Sequence, residues 1–465
     1  MSNVSNPYRA PEPEAPKTGF ADEFFNLTAY EKNVIIHGAI WFFLILFSYY
    51  ILRPIREQIS STYGIENLSW MFWATFGVML VAIPLYSFLV GAIDRKLLVP
   101  CIYLFFIANL IAFWQAMTRL DESFQIWVAR AFFIWISFYG LFIVSFFWSI
   151  IGDMLTSGQG RKYFGFMAGG GTIGGLAGSQ VAAQLVERIG VANLLLFPIA
   201  LLTIALVVYW LLERAAAKNV DKAEKESTSG KATGGNPFAG FTAVFRSRYL
   251  AAICLYGVFL ATCGTTVYFQ QSEIVNAAYA PVGDEAEWTD VEKKLAEAQR
   301  TQYFANINMG VSIVTLIMQF FVVNLVMKHA GLGWALAALP IAYVIGITSL
   351  ALAPTIGVLA VVSVLGRSAE YGICNPAREV LFTSVNREDR YKAKSFIDTI
   401  VRRGGDTLVG SLYRGLRGPL GLAMTTLSWI MIPVAIAWAG LAFFIDKENR
   451  RIEEPKKNGL PPVEH

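Results

Sequence analysis

Twelve long apolar stretches alternate with short polar loops along this chain of 465 residues. A helix needs about 20 mostly apolar residues to cross the hydrocarbon layer of a membrane. Runs such as Trp70–Val90, Leu97–Met117 and Met424–Phe444 meet that length. The pattern predicts helices over 33–56, 68–91, 97–117, 125–152, 163–186 and 191–213. A second set of six is predicted over 249–272, 303–327, 333–353, 355–374, 394–416 and 423–445. The tenth and eleventh are weaker by hydropathy because they carry charges. Residues 214–248, rich in Lys, Glu, Ser and Gly, read as a cytoplasmic linker between a first half, 33–213, and a second half, 249–445. Residues 1–32 are polar and Pro-rich and read as a disordered cytoplasmic tail. They lack the basic-then-apolar succession of a cleaved signal peptide. Residues 446–465 read as a cytoplasmic C-terminal tail. The predicted fold class is an all-α membrane protein of twelve transmembrane helices in two six-helix halves.

Composition agrees with a membrane chain. Hydrophobic residues make up 55% and charged residues only 15%, against roughly a quarter charged in soluble domains. Most of the 38 Lys and Arg fall in segments that are cytoplasmic if both termini are. That bias follows the positive-inside rule and predicts a multi-pass protein of the cell (inner) membrane with both termini inside. The basic loops point to anionic lipid as a partner, with no nucleic acid implied. Cys101, Cys254, Cys263 and Cys374 all sit in apolar runs, at no spacing that suggests a metal site or disulfides, and read as small buried hydrophobes. No metal and no cofactor is expected. The outside segment Trp288–Tyr303 has helical periodicity with polar faces and reads as a small surface helix.

Charges inside spans are costly to insert, so they face water or pair with one another. At the end of the first helix Arg53 and Glu57 are four residues apart and can pair on one face, with Pro54 loosening the helix between them and Arg56 left over. Arg130 opens an aromatic fourth helix. In the tenth and eleventh helices Arg367 and Glu370 are three apart, while Asp398, Arg402 and Asp406 follow at intervals of four, next to Arg403. Asn375-Pro376 is expected to end the tenth helix. The substrate-binding candidates are Arg53, Arg56, Arg130, Gln270, Gln271, Arg402 and Arg403. The candidates for coupling or charge pairing are Glu57, Arg367, Glu370, Asp398 and Asp406. The fifth helix contains GFMAGGGTIGGLAGSQ. Gly169, Gly171 and Gly174 match a dinucleotide fingerprint in form, but that motif requires a preceding strand. Gly170, Gly174 and Gly178 instead follow the four-residue spacing that lets another helix approach closely.

The six-plus-six layout resembles the major facilitator transporters, whose halves pack around a central cavity. GAIDRK after the second helix is similar to their loop motif GxLaDrxGrk through Gly91, Asp94 and Arg95, and in that superfamily the motif latches the halves on the cytoplasmic side. Four blocks in order resemble the nucleotide transporter family, the ATP/ADP translocases of plastids and intracellular bacteria. NPAREVLFTSVNREDRYKAKSFID is similar to that family's DPTKEMAYIPLDEELKxKGKAAID through Pro376, Glu379, Lys392, Lys394, Ile397 and Asp398, with Arg378 at the family's Lys. YYILRPIRE resembles YxxLRxxKD, with Arg56 at its Lys and Glu57 at its Asp. SFFWSIIGDML resembles FWGFAND, and RKYFGFMAGGGTIGGLAGS resembles RLFGxxGxGGSLGxxLGS. The family's seventh-helix LVEVTWK is altered here: Gln271 falls at its Glu and Val275 at its Lys. The resemblance implies NTP/NDP exchange and assigns Pro376, Arg378 and Glu379, with Gly91, Asp94, Arg95 and the glycine stripe, to gating and packing.

These readings converge on a secondary transporter working by alternating access for a small anionic solute, ATP/ADP among the candidates, by exchange or ion coupling. Arginines outnumber the embedded acids, which favours an anion. Glu370 and Asp398 are the candidate carboxylates for coupling to protons. The alternative is a non-transporting membrane scaffold or a membrane-embedded enzyme. An enzyme is not expected, because His37, His329 and His465 form no cluster with a nucleophile or metal ligands.

Overall fold

The computed structural model describes residues 29–154, 157–217, 244, 247–281, 288–385, 393–394 and 396–457. These form helices with no strand among the described residues. The first six helices are α1 (Ala29–Thr62), α2 (Gly64–Ala92), α3 (Arg95–Arg119), α4 (Glu122–Met154), α5 (Ser157–Asn193) and α6 (Leu196–Ala217). The second six open with α7 (Arg248–Ala278). Next is α8, built from Asp290–Ile317, a wide π turn Met318–Val322 and Val323–His329. Then come α9 (Leu332–Leu352) and α10, built from Ile356–Ala369, a π turn Glu370–Cys374 and Asn375–Thr383. The last two are α11, with a π turn Ile397–Val401 before Arg402–Arg417, and α12 (Met424–Lys457). The tail 1–32 and the linker 214–248 lie almost wholly outside the described residues. The last helix continues through 446–457.

Among the described residues ten helices are long and apolar enough to cross a membrane. The two that fall short are α5, diluted by glycine, and α11, by charge. Both pack on two neighbours: α5 on α1 and α8, and α11 on α7 and α2. Hydropathy understates these helices because their polar and glycine faces meet protein instead of lipid.

Each half has its own apolar core. The first includes Trp41, Tyr103, Phe132, Phe147 and Tyr139 from α1, α3 and α4. Trp135 and Tyr139 stack at 5.1 Å, so the α4 aromatics are packing residues. Phe269, Ala298, Tyr413 and Leu427 from the second half join this core. The other core gathers Tyr256, Leu336, Leu359, Ile373 and Trp438. Cys263 and Cys374 are buried, but Cys101 lies exposed on the bundle's outer surface, against the expectation that all four would be buried.

The glycine stripe sets the closest crossing. Gly170, Gly174 and Gly178 of α5 ride on the backbone carbonyls of Ala39, Phe43 and Phe47 of α1, and a Cβ added to any of them would come within 3.0 Å of those oxygens. The four-residue rise on each helix keeps the two stripes in register along the crossing.

Three boundaries differ from the sequence reading, each for a local reason. Helix α1 passes Pro54 and runs on to Thr62, so Arg53 and Arg56 lie within it instead of at its end. The expected surface helix Trp288–Tyr303 is instead the first part of α8, which starts in a capping box of Thr289 and Glu292. Replacing Thr289 with alanine should cost about 1 kcal/mol, measurable as a lowered midpoint of thermal unfolding. Helix α10 does not stop at Asn375-Pro376. The π turn before the proline closes with the Asn375 N–H bonding to the Glu370 carbonyl, and its extra width accommodates the ring that would break a regular helix.

Candidate functional site

Helical spacing alone puts the polar residues of four helices on common faces. Arg53, Arg56 and Glu57 share one face of α1, as do Thr265, Tyr268 and Gln271 on α7. Ser363, Arg367, Glu370 and Tyr371 line up on α10, with Arg402, Arg403 and Asp406 on α11. The tertiary packing turns these four faces toward one cavity between the halves, completed by Phe72 of α2 and Tyr343 of α9. About 1120 Å3 of space, open solvent included, lies between these side chains.

Glu57 is the hub on the first-half wall. It is 3% exposed and lies 3.8 Å from Arg53 Nε and 3.5 Å from Arg56 Nη1. Arg53 also donates to the Tyr371 hydroxyl across the cavity at 3.3 Å. Arg56 donates to Ser137 at 3.0 Å and to Tyr268 at 3.2 Å, with its guanidinium 4.2 Å above the Phe133 ring. Burying such a charge is tolerable only with this density of partners.

On the second-half wall Arg402 Nη2 meets Glu370 Oε1 at 2.5 Å. Thr265 donates to Asp406 at 2.9 Å, and Ser363 donates to Gln271 at 3.2 Å. Arg367 and Arg403 also line the cavity. The Arg53–Glu57 pair is the one that spacing suggested, but the ion pairs on this wall are not. Asp398 does not pair with Arg402 four residues on; it takes Arg378 at 2.8 Å. Glu370 reaches across to Arg402 instead of back to Arg367. The π turn 397–401 holds the reason for Asp398, since a wider turn rotates it away from Arg402.

Two substrate candidates stand elsewhere. Arg130 donates to Asn67 at 2.7 Å and stacks 4.6 Å from Trp127. Gln270 donates to Ser428 of α12 at 2.8 Å, and neither lines the cavity. A second cavity, between α2, α4, α10 and α11, is lined by Arg378, Glu379, Lys394 and Asp398, and Arg402 and Arg403 reach into both. Lys394 bonds both Glu379 oxygens at 2.7 Å. Pro376 sits in α10 just past its π turn. Gly91 is in the last turn of α2, Arg95 begins α3, and Asp94 caps α3 by accepting the Lys96 N–H at 3.0 Å.

At the opposite end the halves are joined. Ser272 donates to the Ser60 carbonyl at 2.5 Å, Arg300 to Thr62 at 2.9 Å, Gln302 to the Ala183 carbonyl at 3.2 Å and Trp73 to Ser411 at 2.8 Å. The cavity is therefore closed off beyond Glu57 and adjoins the second cavity at Arg402. Sequence reasoning missed Tyr268, Tyr343, Tyr371, Thr265 and Ser363. Three of these five could have been found by stepping three or four residues along the same helix face from Gln271 or Arg367, and Thr265 by a second step of three beyond Tyr268. Tyr343 follows no such step, because it comes from an otherwise apolar helix.

A sequence profile for the Major Facilitator Superfamily matches residues 38–377, well over half of the chain. The chain belongs to the Major Facilitator Superfamily. No curated protein sequence matches it. Solved structures with the same fold include a variant of the nucleoside transporter NupG, 11% identical with a TM-score of 0.56 over 91% of this chain and 99% of that one. The POT family transporter PepTSo is 13% identical with a TM-score of 0.60, covering 90% and 98%. A bacterial homologue of the iron transporter ferroportin, in an inward-facing state, is 13% identical with a TM-score of 0.57, covering 90% and 98%. At these identities the likeness establishes the twelve-helix transporter fold of this major facilitator protein.

Proposed function

We propose that this protein is a secondary active transporter that carries a small anionic solute by alternating access, through exchange or ion coupling. The observation that carries this reading is a cavity walled by both halves in which five arginines face three carboxylates. Guanidinium groups bind carboxylate and phosphate with paired, planar hydrogen bonds. A nucleotide is the leading candidate, because the blocks around Arg56, Glu57, Arg378 and Asp398 resemble the nucleotide translocases. With the orientation that the loop charges favour, the joined end faces outward and the protein is open to the cytoplasm. Glu370 and Asp398, each bound to an arginine, are the proposed carboxylates for proton coupling.

The test is uptake of labelled ATP and ADP into proteoliposomes preloaded with unlabelled nucleotide. Exchange by the natural protein that is lost with Arg402→Ala of normal folding would support a nucleotide as the solute. Absence of exchange by well-folded protein would remove ATP/ADP as the solute, and the same vesicles would then be assayed with other phosphorylated and organic anions.

A further inference from the structure

The arginines of the central cavity are not equivalent. Arg53 and Arg56 share Glu57, and Arg402 is bound to Glu370. The side chains of Arg367 and Arg403 line the same cavity from α10 and α11 but make no hydrogen bond or ion pair with any described residue, and Asp406, three residues on from Arg403, is the remaining cavity carboxylate. The three carboxylates leave an excess of two positive charges among the described lining residues. We propose, resting on the anionic-solute reading above, that the cavity takes a doubly charged anion, a phosphate monoester or a dicarboxylate, whose two charges are neutralised by Arg367 and Arg403.

The physical reason lies in what closing the cavity requires. While it is open, water solvates the two unpaired guanidinium groups. When the halves close over a solute and water leaves, any charge without a counter-charge carries a desolvation cost. A dianion removes both excess charges, whereas a monoanion leaves one buried cation uncompensated. A more highly charged anion buries surplus negative charge in turn. Drawing Arg402, or Arg53 and Arg56 together, to a solute would orphan Glu370 or Glu57. Arg367 and Arg403 can turn to a solute without breaking an ion pair of that kind.

The test is calorimetric binding to the full-length protein in detergent at fixed pH, with four probes: benzoate, phenyl phosphate, succinate and ATP. Phenyl phosphate, succinate or both should bind at least about tenfold more tightly than benzoate, the scale of one hydrogen-bonded charge. Which of the two binds separates phosphate from dicarboxylate recognition. Arg367→Gln and Arg403→Gln should each collapse the dianion preference toward the monoanion. Arg367→Lys and Arg403→Lys keep the charge and should keep the preference, which separates charge from packing. Glu57→Gln adds one excess charge and should move the preference toward ATP. Benzoate binding as tightly as phenyl phosphate and succinate, or a dianion preference that survives both glutamine variants, would overturn this inference and leave the anionic-solute reading standing. Failure of every anion to bind well-folded protein would overturn both.

Discussion

Replacing Gly174 with alanine should destabilise this major facilitator protein by about 3 kcal/mol or more, and replacing it with leucine should leave no folded protein to purify. The added Cβ would be driven into the Phe43 carbonyl. That oxygen belongs to the α1 backbone, so relief requires moving the helix that carries Arg53, Arg56 and Glu57. Gly169 is the control. Nothing lies within 4 Å of a Cβ there, and alanine is the better helix former by about 1 kcal/mol. Gly169→Ala should be neutral or mildly stabilising. Thermal unfolding of the two alanine variants in one detergent decides the matter. Equal midpoints would mean that α1 and α5 do not approach as closely as the glycine stripe requires.

The second large effect is expected at the pair between the two cavities. Glu370→Gln leaves the Arg402 guanidinium without its carboxylate, and Arg402→Gln leaves Glu370, which is 7% exposed, without its cation. Each single change should lower stability by about 1–3 kcal/mol. The double change should cost less than the sum of the two, by about 0.5–3 kcal/mol of coupling, because it removes both charges together. Strict additivity of the unfolding midpoints would show that the pair is not formed in the folded protein. Glu379→Gln is a useful contrast. Its bond to Lys394 is exposed on both sides, and an exposed pair contributes about 0–1 kcal/mol.

Much of the architecture follows from one dimension. A run of some 20 apolar residues can satisfy its backbone in lipid only as a helix, so Trp70–Val90 or Met424–Phe444 needed no tertiary information to be read. The spacing of Gly170, Gly174 and Gly178 likewise announced a close helix contact, because residues four apart stack on one face whatever lies opposite. The site was legible in part, since charges in apolar spans must be served by something. Arg53, Arg56, Arg402, Arg403 and Gln271 do meet in one cavity, while Arg130 and Gln270 are spent on Asn67 and Ser428. Nothing in the sequence around those two residues distinguishes them, because a face becomes a cavity wall only when a neighbouring helix leaves it uncovered.

Partner choice was the least legible. Spacing of three or four offered Arg367 to Glu370 and Asp398 to Arg402, yet the π turn of α11 separates Asp398 from Arg402 and the tertiary packing pairs Glu370 with Arg402 and Asp398 with Arg378. A twelve-helix membrane protein with two halves and an embedded cationic set could be read from the order of residues alone, because lipid tests each segment separately for length, apolarity and charge. Which arginines are paired and which are left to face the cavity is set by the fold, because that depends on distances between helices that the order of residues along any one helix does not contain.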